Sequence, residues 1–391
     1  MLNTSLSPWP SFTQEEADAV SKVLLSNKVN YWTGTECREF EKEFAAFAGT
    51  QYAVALSNGT LALDVALKAM GIGAGDDVIV TSRTFLASAS CIVTAGANPV
   101  FADVDLNSQN ISAETIKAVL TPNTKAIIVV HLAGMPAEMD GIMDLAKEHD
   151  LWVIEDCAQA HGAKYKGKSV GSIGHVGAWS FCQDKIMTTG GEGGMVTTND
   201  KELWSKMWSY KDHGKSYDAV YNREHAPGFR WLHESFGTNW RMMEMQAVIG
   251  RIQLKRMPEW TARRQAHAAK LAENLGKFKS IRLIEVADYI EHAQYKFYAF
   301  VKPEHLKEGW TRDRIVNELN ARKVPCYQGS CSEVYLEKAF DNTPWRPKER
   351  LKNAVELGDT SLMFLVHPTL TDDEIAFCKE HIEAVLAEAT A

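Results

Sequence analysis

A chain of 391 residues, 45% hydrophobic and 24% charged, can bury a large core, which excludes the disordered and fibrous classes; it exceeds one ordinary domain of ~150 residues and suits two lobes sharing a cleft. Fifty acids against 42 bases leave a net charge of -8, which offers no field for a nucleic acid or an anionic bilayer. Seven scattered cysteines without C-x-x-C spacing read as reduced thiols, with neither a disulfide frame nor a metal site, and the absence of a leader pattern or of a run near ~18 apolar residues predicts a soluble cytoplasmic protein.

Thr13 and Glu16 form a capping box ahead of a first helix whose apolar stripe is Ala17, Val20, Val23 and Leu24. Short apolar runs then predict strands at Tyr52–Leu56, Val78–Val80, Val100–Val104, Ala126–Val130, Trp152–Ile154, Ala178–Phe181 and Met195–Thr198, with helical patterns at Thr60–Met70, Phe85–Ala95 and Met139–His149 between them. Strands that are apolar throughout suit a sheet covered on both faces, so the fold class is α/β with a largely parallel sheet. Lys164, Lys166 and Lys168 alternate as the exposed face of a hairpin around Gly167. A helical tract from Arg241 to Leu275, interrupted by Pro258, links the lobes. Beyond it, Tyr298–Val301 reads as a strand and Thr311–Ala321 as a helix. Thr371 with Glu374 caps a last helix bearing Ile375, Cys378, Ile382 and Leu386, completing a smaller α+β lobe. The 11 tryptophans and 13 methionines are assigned to core and subunit interface.

In an open α/β sheet ligands bind beyond the carboxyl ends of the strands, and three places there stand out. Ser57-Asn58-Gly59-Thr60 follows the first strand and opens a helix; it is either a phosphate site made of free N–H groups or a tight turn with its cap. Asp156 ends a central buried strand, where a carboxylate needs a partner; a following turn to cap is one, a protonated pyridine nitrogen another. Lys185, in Ser180-Phe181-Cys182-Gln183-Asp184-Lys185, precedes a glycine-rich turn, Gly190-Gly191-Glu192-Gly193-Gly194. Alone it is a solvated loop lysine. Together, an acid for a ring nitrogen, a lysine for an aldehyde and a phosphate pocket are the three contacts that pyridoxal phosphate requires, and the glycines would let the backbone approach the ring. His131, after the Ala126–Val130 run, either lines the cleft or packs structurally.

The segments Ser-Asn-Gly-Thr-Leu-Ala-Leu (57–63), Ile-Glu-Asp-Cys-Ala-Gln-Ala-His-Gly-Ala (154–163), Ser-Phe-x-x-x-Lys with Gly-Glu-Gly-Gly (180–194) and Gly-Thr-Asn-Trp-Arg-Met (237–242) resemble the DegT/DnrJ/StrS family of sugar-nucleotide aminotransferases, from Trp9 to the terminal helix. The resemblance implies fold type I of the pyridoxal-phosphate enzymes and a homodimer with active sites shared between subunits. It implies an N-terminal arm and helix (1–25) packing with the small domain, a large cofactor-binding domain (26–250) with a mixed, mostly parallel sheet, and a small C-terminal domain (251–391). Carried over residue by residue, Lys185 bonds covalently to the cofactor aldehyde, and Asp156 pairs with the pyridine nitrogen. Gln159 lies near the 3-hydroxyl, Ser180, Gly59 and Thr60 hold the phosphate, Phe85 stacks on the ring, and Asn239 reaches the phosphate of the neighbouring subunit. Cys182 stands where many relatives carry an aromatic residue, and Gly191 is an additional glycine. Relatives that dehydrate the sugar usually carry histidine in place of Lys185, so the lysine favours transamination.

The implied reaction transfers an amino group from an amino acid, L-glutamate, to a nucleotide-linked keto-sugar, foremost a 4-keto-6-deoxyhexose, with a 3-keto-sugar as the alternative. A non-catalytic regulator that kept the fold is a further class, opposed by the retention of both Lys185 and Asp156. A nicotinamide dehydrogenase lacks its G-x-G-x-x-G after the first strand. The stretch from Lys211 to Trp231, with His213, Arg223, His225 and Arg230, is either a clamp for a diphosphate and base or an ordinary surface loop.

Overall fold

The computed structural model describes residues 6–391. Its larger sheet is built from β1 (Tyr52–Leu56), β2 (Asp77–Thr81), β3 (Asn98–Ala102), β4 (Thr124–Val130), β5 (Trp152–Asp156), β8 (Val176–Ser180) and β9 (Gly194–Thr198), with β6 (Lys164–Tyr165) and β7 (Lys168–Ser169) forming the lysine hairpin between β5 and β8. The order across the sheet is β1-β9-β8-β5-β4-β2-β3. β9 runs antiparallel to both its neighbours, and the other neighbouring pairs are parallel. Alternate residues of one strand enter different cores: Val78, Val80, Ala126 and Ile128 belong to one cluster, Ile79, Ile127 and Val129 to another. That alternation is why the runs are apolar throughout, since neither face meets water.

The helices in chain order are α1 (Gln14–Leu25), α2 (Glu36–Ala48), α3 (Gly59–Ala69), α4 (Ala87–Thr94), α5 (Ala113–Lys117), α6 (Met139–Glu148), α7 (Lys201–Tyr210), α8 (Tyr217–Tyr221), α9 (Glu244–Leu275), α10 (Arg312–Ala321), α11 (Lys352–Thr360) and α12 (Asp372–Ala389). Strands β10 (Ile281–Leu283), β12 (Phe297–Val301), β14 (Ser361–Phe364) and β13 (Cys326–Tyr327) make an antiparallel sheet of that order. It packs on α9, α10 and α12 through Leu271, Leu275, Phe297, Val301, Leu319, Ile382 and Leu386. The short β11 (Ile290–Glu291) pairs with the β6 hairpin and ties this lobe to the larger one.

α9 runs through Pro258 without a break. Its start packs on the large lobe, where Gly250 lies against Phe40, and its end on the small lobe, so a boundary at residue 250 falls inside the helix. Ser7 and Pro8 of the arm hydrogen-bond Glu374 and Thr369 of the small lobe, while α1 lies on α9 through Glu16 and Gln253 at 2.8 Å.

Two expectations need correction. The first helix does not bury the stripe expected of it: Ala17 and Leu24 face solvent, and its buried residues are Val23 and Glu16, because the contact with α9 is largely polar. The third strand starts at Asn98, two residues early, and passes through Pro99; β3 is the edge of the sheet, where a missing N–H costs no ladder bond. The α12 stripe, by contrast, is buried at Ile375, Cys378, Ile382 and Leu386. All seven cysteines are free thiols.

Candidate active site

Asp156 is the last residue of β5, and its register partner on β8 is Ala178, two residues before Ser180. Both acids at this strand end are buried, yet they do different work. Glu155 accepts hydrogen bonds from His131 Nε2 at 2.9 Å and from the backbone of Gly171, Ile173 and Gly174. Burial would raise its carboxyl, but His131 and these N–H groups outweigh it and hold it below the ordinary value. Because His131 Nδ1 accepts from the Ala137 N–H at 3.1 Å, its proton sits on Nε2; this histidine packs structurally and does not line the cleft. Asp156 accepts from Ser88 Oγ at 2.7 Å and from the Ala158 N–H at 3.1 Å, and burial pushes its carboxyl up despite them. Ser88 Oγ lies 2.9 Å from Thr84 Oγ1. The only hydroxyl proton of Ser88 goes to Asp156, so Thr84 donates to Ser88 and the chain points at the acid.

The phosphate-like loop is shaped by close approach. Asn58 caps α3 by accepting from Leu61 N at 3.0 Å, leaving the N–H groups of Gly59 and Thr60 at the helix start, beyond the reach of any helix carbonyl. A Cβ on Gly59 would stand 2.5 Å from Ser180 Cβ and 2.9 Å from Ser180 Oγ, so only glycine lets these two elements meet. Gly194 is equally constrained, since its Cβ would lie 2.2 Å from the Asn58 carbonyl oxygen. The glycines after Lys185 therefore serve the turn, with φ of 86° at Gly190 and 125° at Gly191, and the packing of β9 against this loop.

Lys185 follows β8 on a short loop and shares one cavity of about 610 Å³ with Asp156, Gln159, Ser180, Gly59, Thr60 and Phe85. Its Nζ is 3.5 Å from Asp184 and 5.5 Å from the centre of the Tyr295 ring. Its carbonyl oxygen accepts from Trp9 Nε1 at 2.8 Å, which fixes the loop to the N-terminal arm. Asp184 is exposed, and Lys185 and the Tyr295 hydroxyl hold its carboxyl below the ordinary value. Gln159 Oε1 accepts from the Ala133 N–H at 2.8 Å, so its amide N–H₂ is the end free to face the cavity. Phe85 stands at the mouth, 69% exposed.

The remaining candidates fall outside this cavity of the single chain. Asn239, Arg223, Arg230 and His213 do not line it. Arg223 is engaged by Asp218 and Glu234, and His213 takes a left-handed backbone at φ 58°. Sequence reasoning gave no role to Ser88, Thr84, Asp184 or Glu192, which belong to the site. Thr84 lies before α4 and Ser88 in its first turn, so no helical spacing marked the pair in the sequence.

A buried carboxylate without a cation, a lysine across the same cavity, and a helix start cleared by Gly59 together fit pyridoxal phosphate. Asp156 would hold its ring nitrogen, Lys185 its aldehyde, and Ser180 with the α3 N–H groups its phosphate.

A model of the DegT/DnrJ/EryC1/StrS aminotransferase family matches residues 10–383. The crystal structure of an aminotransferase from Psychrobacter cryohalolentis is 66% identical, with a TM-score of 0.96 over 98% of this chain and 99% of that one. A UDP-N-acetyl-3-dehydro-α-D-glucosamine 3-aminotransferase of Acidithiobacillus ferrooxidans is 41% identical over 91% of this chain and 90% of its own length. A GDP-perosamine synthase of Caulobacter vibrioides is 41% identical over 72% of this chain and 73% of its own.

Proposed function

Because the chain belongs to the DegT/DnrJ/EryC1/StrS aminotransferase family, and so is a pyridoxal-phosphate-dependent sugar aminotransferase, we propose that it transfers the amino group of L-glutamate to the C4 ketone of a nucleotide-linked 4-keto-6-deoxyhexose. The product would be an amino sugar for surface polysaccharide. The observation that carries the reading is the retention of Lys185 and Asp156 in one cavity. A C3 ketone is the alternative, favoured by the likeness to the 3-aminotransferase over most of the chain.

Bound pyridoxal phosphate supplies an aldehyde and a ring that accepts electrons from a breaking C–H bond. Asp156 holds a proton on the ring nitrogen, and Ser88 with Ala158 keeps its carboxylate aimed. Lys185 Nζ would be the covalent anchor for the aldehyde and, when free, the group placed to carry a proton at the reacting carbon. Gln159 would donate from its amide nitrogen to the cofactor's 3-oxygen, and Phe85, at the cavity mouth, would cover the ring. We read the active unit as a homodimer, supported by Phe229, Trp231 and Phe236, which stand 77%, 83% and 99% exposed on the loop that carries Arg230.

Incubating the yellow, cofactor-loaded protein with glutamate and a panel of keto-sugar nucleotides, then locating the new amine by NMR, tests the substrate. A colourless wild type that takes up no pyridoxal phosphate, or a Lys185→Ala protein as active as wild type, would overturn the reading.

A further inference from the structure

Two basic side chains of the small lobe lie beside Lys185 without an acid of their own. Arg264, on α9, is 1% exposed. Its Nη1 reaches the Tyr295 carbonyl oxygen at 3.4 Å, and its Nε and Nη2 have no hydrogen-bond partner among the described residues. The Trp9 ring covers it at 5.0 Å. Burial brings this guanidinium down to about 9. Lys296, next to β12, places its Nζ 4.7 Å from the centre of the Tyr295 ring, the ring that Lys185 Nζ approaches at 5.5 Å. Lys296 keeps some contact with solvent, yet the protein packed around it removes enough water to pull its ammonium down to about 8.

The titratable groups facing this pair are Lys185, Asp184, Tyr295, His161 and His367. Burial pulls both histidines down to about 3, so they add no charge at neutral pH. Asp184 is the one acid among them, and it already serves Lys185 and the Tyr295 hydroxyl. Three cations share one carboxylate, and a buried guanidinium with unpartnered N–H groups is the signature of a missing anion.

We infer that Lys296, with Arg264 standing behind it, receives the carboxylate of the amino-acid donor next to Lys185. This rests on the aminotransferase reading. In an α-amino acid the carboxylate is attached to the carbon that bears the amine, so an amine delivered to Lys185 Nζ brings its carboxylate within a few ångströms. In a sugar nucleotide the diphosphate is separated from the reacting carbon by the sugar ring. Two lysines gathered on a single tyrosine ring match the shorter separation.

The test uses cofactor-loaded protein and glutarate, a dicarboxylate that cannot donate an amine, titrated by calorimetry. Lys296→Met weakens glutarate at least tenfold, and Lys296→Arg restores it to within about threefold. In single-turnover half-reactions, Lys296→Met raises half-saturation for glutamate by a similar factor and that for the keto-sugar nucleotide less than twofold. Since only the charged ammonium attracts an anion, wild-type glutarate affinity is full below pH 8 and falls as pH rises through it. Unchanged glutarate binding in Lys296→Met overturns the inference. So does a keto-sugar nucleotide weakened as much as glutarate, which would assign the cations to the diphosphate. Failure of the whole function reading is distinguishable, because it appears as a wild type that binds glutarate but aminates no keto-sugar.

Discussion

Replacing Ser88 by alanine removes the hydroxyl that donates to Asp156 Oδ2 at 2.7 Å and leaves the buried Thr84 hydroxyl, 2.9 Å from it, without its acceptor. Hydrogen bonds to charged groups contribute about 1.5–3 kcal/mol. Asp156 keeps only the Ala158 N–H, at 3.1 Å. Burial already pushes its carboxyl up, so losing Ser88 moves it further towards the protonated form. A protonated acid cannot hold a pyridinium, and the same free energy corresponds to about 10- to 150-fold weaker cofactor binding. The assay is a titration of cofactor-free protein with pyridoxal phosphate, followed by visible absorbance, for wild type, Ser88→Ala and Ser88→Thr. Threonine keeps the hydroxyl and restores affinity. A Ser88→Ala dissociation constant within twofold of wild type refutes the role given to this hydroxyl chain.

Gly59→Ala sets a Cβ 2.5 Å from Ser180 Cβ and costs about 1–3 kcal/mol of misfit where the cofactor phosphate would bind, so the same titration shows about fivefold or more weaker uptake; wild-type affinity contradicts it. Glu155, held below the ordinary glutamate value when folded, contributes stability that is complete above that ordinary value and disappears as pH falls through the lowered one. Unfolding free energies of wild type and Glu155→Gln from urea titrations therefore differ by about 1.5–3 kcal/mol at pH 7 and converge in acid; a gap that does not depend on pH rejects this. Arg230→Ala raises the KM for the sugar nucleotide more than Arg223→Ala, because Arg223 is tied to Asp218 and Glu234; equal, wild-type KM values in both remove the loop from nucleotide binding.

Much of the site was legible in the sequence because strand ends mark themselves. Asp156 closes an apolar run, Asn58 and Gly59 follow one, and Lys185 with its glycines follows another. Each signal is local, and together they demand one cofactor. Ser88 and Thr84 carried no such mark, since two hydroxyls at a helix start cap helices far more often than they serve an acid in a strand two places across the sheet.

The chain order of apolar runs and caps determined the seven strands of the larger sheet, the terminal helix and the positions of the cofactor residues. Only the tertiary structure decided that β9 runs antiparallel, that α1 meets α9 through Glu16 in place of its leucines, and that Glu155 binds His131 while Asp156 is left for a cation. The reason is physical: hydrophobic period and capping are set by residues a few positions apart. Strand direction, the pairing of buried charge, and the gathering of Lys185 and Arg264 around Tyr295 depend on contacts between segments well separated along the chain, from 24 positions for Glu155 and His131 to 111 for Asp184 and Tyr295, which no local pattern encodes.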